Sequence, residues 1–231
     1  MAGAADLRLC ADINPRSPYM MPDGSGIADR RVAAAAREAG LVPKVFPVSL
    51  ARCAAEVKAG LMHGFPMVPY APVMFPFVVY PMRDGAIDMR RATLTARQVL
   101  FRPKGGSANW DGVRMTGVRR AVLVNAGSLP MIATLKSLNV PSDANGKSLQ
   151  VNLVKMLAGR GEAAIGFEGE GALLLDQPAF KGKVEMLPVP LHETAYFMVV
   201  SESYYATQRD AVENMWDAVG RLHQAAKAQK K

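Results

Sequence analysis

From Ala59 to Met82 the sequence contains no Lys, Arg, Asp or Glu, although the chain carries 28 Lys and Arg and 20 Asp and Glu over 231 residues, a net charge of +8. A stretch of that length is enough for a membrane span, which needs about 20 apolar residues. Pro66, Pro69, Pro72, Pro76 and Pro81 exclude that reading. Each interior proline removes a helical hydrogen bond at about 3 kcal/mol, and lipid offers the freed backbone no other partner. Cysteine is scarce too. Cys10 and Cys53 form one possible pair, either two small buried hydrophobes or one disulfide of the kind an exported protein can keep. The three histidines, His63, His192 and His223, lack metal-ligand spacing, so no metal or cofactor is expected. Lys and Arg form no cluster with an interleaved reader motif, which argues against nucleic acid as a partner. The positive balance then describes a solvated surface. No internal repeat or low-complexity linker is present. The opening MAGAAD is too short for a signal peptide and reads as a start and scar where a leader was removed, with the mature chain beginning near Leu7.

What is present is a chain that is half apolar, enough for a substantial core. LRLCAD reads as a buried strand, followed by the Pro-rich loop INPRSPYMMPDGSG and a helix over IADRRVAAAAREAG, stopped by Gly40. KVFPV is a second strand. SLARCAAEVKAG is a helix with Ser49 as N-cap and Gly60 as terminator. LMHGF opens the third strand, and beyond it the prolines keep the chain extended or turning. ATLTARQVLFRP is a long strand, NWDGVRMTG a loop, and RRAVLVNAGS a strand entering a helix. SLQVNLVKMLAGR is an amphipathic helix with Leu149, Leu153, Met156 and Leu157 on one face. EAAIGF and AYFMVVS are strands. The last helix puts Val212, Met215, Trp216, Val219, Leu222 and His223 on one side, which makes His223 a packed histidine. Alternation of strand and helix indicates an α/β fold with parallel βαβ units.

In this order the segments LRLCADINPRSPYMMPDGSGI, AAAAREAG, AAEVKAG, VYPMRDG, WDGVRM and VNLVKMLAGRGEAAIG resemble the family 3 extracellular solute-binding proteins, the amino-acid receptors of ABC importers. The resemblance runs from Leu7 to about Gln224 and rests on the order of soft motifs. It implies a two-lobed periplasmic-binding-protein fold of type II, with two crossover strands and a ligand cleft between the lobes. Lobe 1 would be residues 6–93 plus 196–231 and lobe 2 residues 97–192, with hinge strands near 92–97 and 191–196. It further implies a periplasmic monomer that binds a small molecule, is not an enzyme, and has an inner-membrane transporter as possible partner.

In amino-acid binders of this family, a loop after the third strand carries an Arg that grips the ligand carboxylate. Laid along that pattern, this sequence has Met74 at the Arg position, with Val73 beside it, and His63 where an acid is usual. The Asp that takes the ligand's amino group falls near Phe167, next to Glu168. A carboxylate without its cation would be desolvated and unpaired, at a cost of several kcal/mol. Phe65, Phe77 and Val79 read as core, whereas Met67, Tyr70 and Met74 read as walls of the cleft. Tyr19 matches an aromatic that stacks on ligands. Asn125, Gly127 and Ser128 form a strand-to-helix turn able to hold an anionic or hydroxyl group. Glu168 and Glu170 sit on a Gly-rich loop.

The expectation drawn from these residues is a carrier of a largely apolar, lipid-like molecule such as a sterol or hopanoid, moved between membranes. The alternative is a receptor for an amino acid or similar polar solute, with Arg90, Arg91 or Arg97 as its clamp. A dehydratase-like enzyme finds no nucleophile–base pair or phosphate-binding Gly motif in the sequence. An accessory role toward a partner protein is the remaining reading.

Overall fold

The computed structural model describes residues 5–13, 15–73 and 75–229. Strand β1 (Ala5–Asp12) leads to helix α1 (Ile27–Glu38), β2 (Leu41–Val48), α2 (Leu50–Lys58), β3 (Gly64–Pro69) and β4 (Val78–Val79). A hairpin of β5 (Met82–Arg83) and β6 (Ala86–Ile87) and a single 3-10 turn at Met89–Arg91 precede β7 (Leu94–Pro103). There follow β8 (Asn109–Trp110), β9 (Met115–Thr116), β10 (Val122–Asn125), α3 (Leu129–Ser137), β11 (Ser142–Gly146), α4 (Leu149–Leu157), β12 (Ala163–Phe167) and α5 (Glu168–Leu175). The chain closes with β13 (Val184–Ser201) and α6 (Glu202–Ala228). It divides into two compact units, Met1–Thr95 with Thr194–Lys231, and Ala96–Glu193. β7 and β13 are the segments that pass from one unit to the other.

In the first unit β1 pairs in parallel with β2 over its whole length and with β3 at Leu9, and β13 runs antiparallel to β3. The period-2 geometry of a strand sends successive side chains to opposite faces. Leu7, Leu9, Met198 and Val200 therefore meet Val32, Ala35, Trp216 and Val219 of α1 and α6. Cys10, Phe197 and Val199 meet Cys53, Val57, Phe65 and Val68 on the other side. With both faces covered, the strands read as nearly continuous apolar runs. This explains the first part of the charge-free stretch, since Phe65, Met67 and Val68 of β3 are all buried.

Prolines are rare in a central strand because they donate nothing to the ladder. Pro66 is accommodated where the β3–β13 register shifts, between the Phe197–Val68 and Val199–Phe65 pairs. Gly64 is required by close approach: a Cβ there would lie 2.1 Å from the Val199 carbonyl oxygen.

The second unit repeats the plan. Its strands run in the order β11-β10-β12-β7, with β10 parallel to its neighbours and β12 antiparallel to β7. Val99 and Phe101 pack against Leu149, Leu153 and Met156 of α4, and Leu100 packs oppositely against Met131 and Leu135 of α3. Three local readings are corrected. NWDGVRMTG forms the β8–β9 hairpin rather than a loop. Leu157, the last residue of α4, is 38% exposed rather than on the buried face. Glu168 and Glu170 belong to the first turn of α5, not to a loop.

The segment 91–93, just ahead of β7, is held from several sides. Arg91 Nη1 donates to Glu213 at 2.6 Å and its Nε to Asp217 at 2.8 Å, both on α6. His223 Nδ1 lies 3.0 Å from the Ala92 carbonyl, and Arg31 bonds the Thr93 carbonyl. Burial, with Arg31 and Lys227 nearby, pushes the His223 imidazole from 6.5 down to about 4. Cys10 and Cys53 form a disulfide that ties α2 to β1.

Two outcomes follow. Closing the 43-residue separation between Cys10 and Cys53 contributes about 4 kcal/mol through unfolded-chain entropy. The paired Cys10→Ala, Cys53→Ala variant should accordingly lose about 2–4 kcal/mol in urea unfolding. The second concerns acid. Between pH 6.5 and about 4 the unfolded chain protonates His223 while the folded one does not, so the stabilisation present above 6.5 is lost as pH falls through that window. Melting temperature should drop more steeply there in the parent than in His223→Leu.

Candidate functional site

Ligands of open α/β sheets bind beyond the carboxyl ends of the strands. In the first unit β1 finishes at Asp12 and the chain folds tightly before α1. Arg16 N donates to the Met20 carbonyl at 2.8 Å and Tyr19 N to the Arg16 carbonyl at 2.7 Å. The Asp29 carboxylate accepts from Met21 N at 2.8 Å and Gly26 N at 3.1 Å. This folding brings Arg16 back over the strand end, with Nη2 3.7 Å from Asp12 Oδ2. Beside it is a pocket of about 20 Å³, walled by Asp12, Arg16, Met20, Leu50, Phe65, Met67 and the Cys10–Cys53 disulfide. Burial pushes the nearby Tyr196 phenol up, and the Arg16 charge draws it part of the way back.

Arg16 was not among the expected site residues, and its guanidinium stands at this strand end. Arg16 is the only Lys or Arg between Arg8 and Arg30, in a proline-rich loop. The expected wall residues are also dispersed. Tyr19 is 8% exposed and Met67 5% exposed, so both are close to buried. Tyr70 is 44% exposed and stands edge-on to Tyr80 at 5.2 Å. Tyr80 in turn donates to the Pro69 carbonyl at 3.2 Å. Met74 lies outside the described residues.

The second unit brings its candidates to one sheet end, because β10 and β12 are neighbours. Asn125 ends β10, and its Oδ1 accepts from Asn152 Nδ2 at 2.9 Å. Gly127 takes a left-handed φ of 78°, turning the chain into α3. Ser128 occupies the N-cap position of α3, and its hydroxyl makes no capping bond. Phe167 ends β12, and Glu168 follows it. Glu168 Oε1 accepts from Arg97 Nη1 at 2.7 Å, while Arg97 Nη2 donates to the Pro188 carbonyl at 2.7 Å. Burial raises the neighbouring Glu170 carboxyl.

Of the three alternative clamp residues, only Arg97 is at such a strand end. Arg90 Nε and Nη2 contact the two Asp88 carboxylate oxygens at 3.0 and 3.1 Å. Arg91 is 8% exposed and committed to α6. Both line a separate groove of about 510 Å³ with Arg83, Asp217 and Arg221, in which cations and carboxylates neutralise one another. Arg91→Met is expected to cost about 2 kcal/mol in denaturant unfolding, because it leaves Glu213 and Asp217 without their shared donor.

No family model matches the sequence, and no curated protein matches it. Solved structures do. The L-cystine solute receptor of Neisseria gonorrhoeae, in its unliganded open conformation, superposes with a TM-score of 0.65 at 12% identity, over 95% of this chain and 88% of that one. The amino-acid ABC transporter substrate-binding protein AbpA of Streptococcus pneumoniae, bound to L-arginine, gives 0.62 at 14% identity, over 98% and 92%. The GluR0 ligand-binding core of Nostoc punctiforme, in complex with L-glutamate, gives 0.60 at 13% identity, over 97% and 96%. The resemblance read from the sequence is thus borne out at the level of the fold: this chain has the α/β fold of the type II periplasmic binding proteins.

Proposed function

We propose that this protein is a non-catalytic, exported solute-binding protein whose ligand is an amino acid or a similar small polar solute. The observation that carries the reading is a cation–carboxylate pair at a strand end of each unit, Arg16 with Asp12 and Arg97 with Glu168. Arg is suited to bidentate capture of a carboxylate, and an acid beside it receives an ammonium group. Fold alone does not assign function, but neighbours with this fold are a cystine receptor and proteins bound to arginine and glutamate. A sterol or hopanoid is disfavoured, since it would desolvate Arg16 without pairing it. The Cys10–Cys53 disulfide fits an oxidising compartment such as the periplasm. No helix among the described residues is long and apolar enough to cross a membrane. A membrane transporter would be the natural receiver of the solute.

A thermal-shift screen of the twenty amino acids checks this, alongside mass spectrometry of lipids extracted from the purified protein. A ligand at 100 times its dissociation constant adds about 2.7 kcal/mol of stability. One or a few amino acids should produce that shift, and Arg97→Ala should reduce it. Co-purifying lipid with no response to any amino acid would overturn the reading.

A further inference from the structure

The net charge of +8 is not spread evenly over the surface. In the second unit Val122 of β10 pairs with Ala163 of β12, and Ala164 of β12 with Phe101 of β7. Lys104 N, just past β7, donates to the Lys183 carbonyl at 2.8 Å, just ahead of β13. This register gathers the residues that follow β7 and those that precede β10, β12 and β13 at one end of the sheet, the end away from Asn125 and Glu168. Neighbouring strands lie about 4.8 Å apart, so four adjacent strand ends fall within about 15 Å. Lys104, Arg119, Arg120, Arg160, Lys181 and Lys183 are all at this end and all exposed. The acids beside them are mostly engaged. Glu162 accepts from Arg120 N and Ala121 N at 3.0 and 3.2 Å, and Glu185 from Arg102 Nε at 2.7 Å. Asp143 pairs with Lys155 at 2.6 Å, and Asp176, at the end of α5, is exposed. None of the six cations forms an ion pair among the described residues. At physiological salt the Debye length is about 8 Å, so charges this close reinforce one another.

We propose that this end of the second unit docks on an anionic phospholipid bilayer. The six cations are distributed over four separate loops around a sheet end, an arrangement that meets many headgroups at once. Val154 and Leu157, in the last turns of α4 just ahead of Arg160, are 56% and 38% exposed. An anionic bilayer offers headgroup charge with an apolar layer beneath it, whereas an acidic protein tail offers the charge alone. Docking of this kind goes beyond solute capture and holds the protein at a membrane whatever solute it binds. The six positions run from Lys104 to Lys183 in the chain, which is why the positive balance reads from the sequence as a solvated surface.

Co-sedimentation of the whole chain with lipid vesicles provides the test. Mixed phosphatidylglycerol and phosphatidylcholine vesicles should carry the protein down, and phosphatidylcholine vesicles should not. Binding should vanish between about 0.1 M and about 1 M salt, as the Debye length falls from about 10 Å to about 3 Å. Lys181→Gln combined with Lys183→Gln should weaken it about twentyfold, on the order of fivefold for each lost charge. Arg37→Gln combined with Lys58→Gln removes the same charge from exposed positions of the first unit and should leave binding within about twofold. Circular dichroism checks that both variants fold. Equal binding to the two kinds of vesicle, binding to neither, or equal losses in the two paired variants would overturn the proposal. So would capture of soluble polyglutamate in preference to anionic vesicles, which would assign the face to an acidic protein partner.

Discussion

Strand β3 lies between β1 and β13 with helices covering both faces of its sheet, and that position forbids charge. An ionised side chain on it would be stripped of water with no partner in reach, a cost no neighbouring contact could offset. The same position demands Gly64, where the Val199 carbonyl presses close, and tolerates Pro66 only because the ladder slips a register beside it. The neutral run beginning at Ala59 is therefore first a packing requirement. Phe65 and Met67 of this run also line the pocket beside Arg16.

Charge absent from β3 is found at strand ends, at other strand positions and on the helices. In the first unit the folded loop after β1 returns Arg16 over Asp12. In the second, the antiparallel pairing of β12 with β7 sets Glu168, just past one strand, beside Arg97, near the start of the other. A second population of charge, Asp88 with Arg83, Arg90 and Arg91, is drawn to α6 and pins the segment ahead of β7. These groups serve stability.

Much of the fold was legible from periodicity. The alternation in LRLCAD placed a buried strand, and the apolar face of the last helix, Val212 to His223, matches the side that α6 buries. Short elements were not: β8 and β9 are two residues each and carry no period to read. Glu168 and Glu170 looked like loop acids because Gly169 and Gly171 interrupt any helical pattern, although Gly171 is there to clear the Phe101 ring, 2.1 Å from where its Cβ would be. Arg16 was overlooked because a single cation in a proline-rich loop has no pattern at all.

The sequence by itself determined which segments would be buried and in what order strands and helices would alternate, since both depend on local spacing of apolar side chains. Tertiary structure alone decided which charges face a pocket and which satisfy one another. Arg91 and Arg97 are chemically identical, and their roles differ through partners far away in the chain: Arg91 with Glu213, Arg97 with Glu168. Ion pairing depends on distance in space, which no local spacing records.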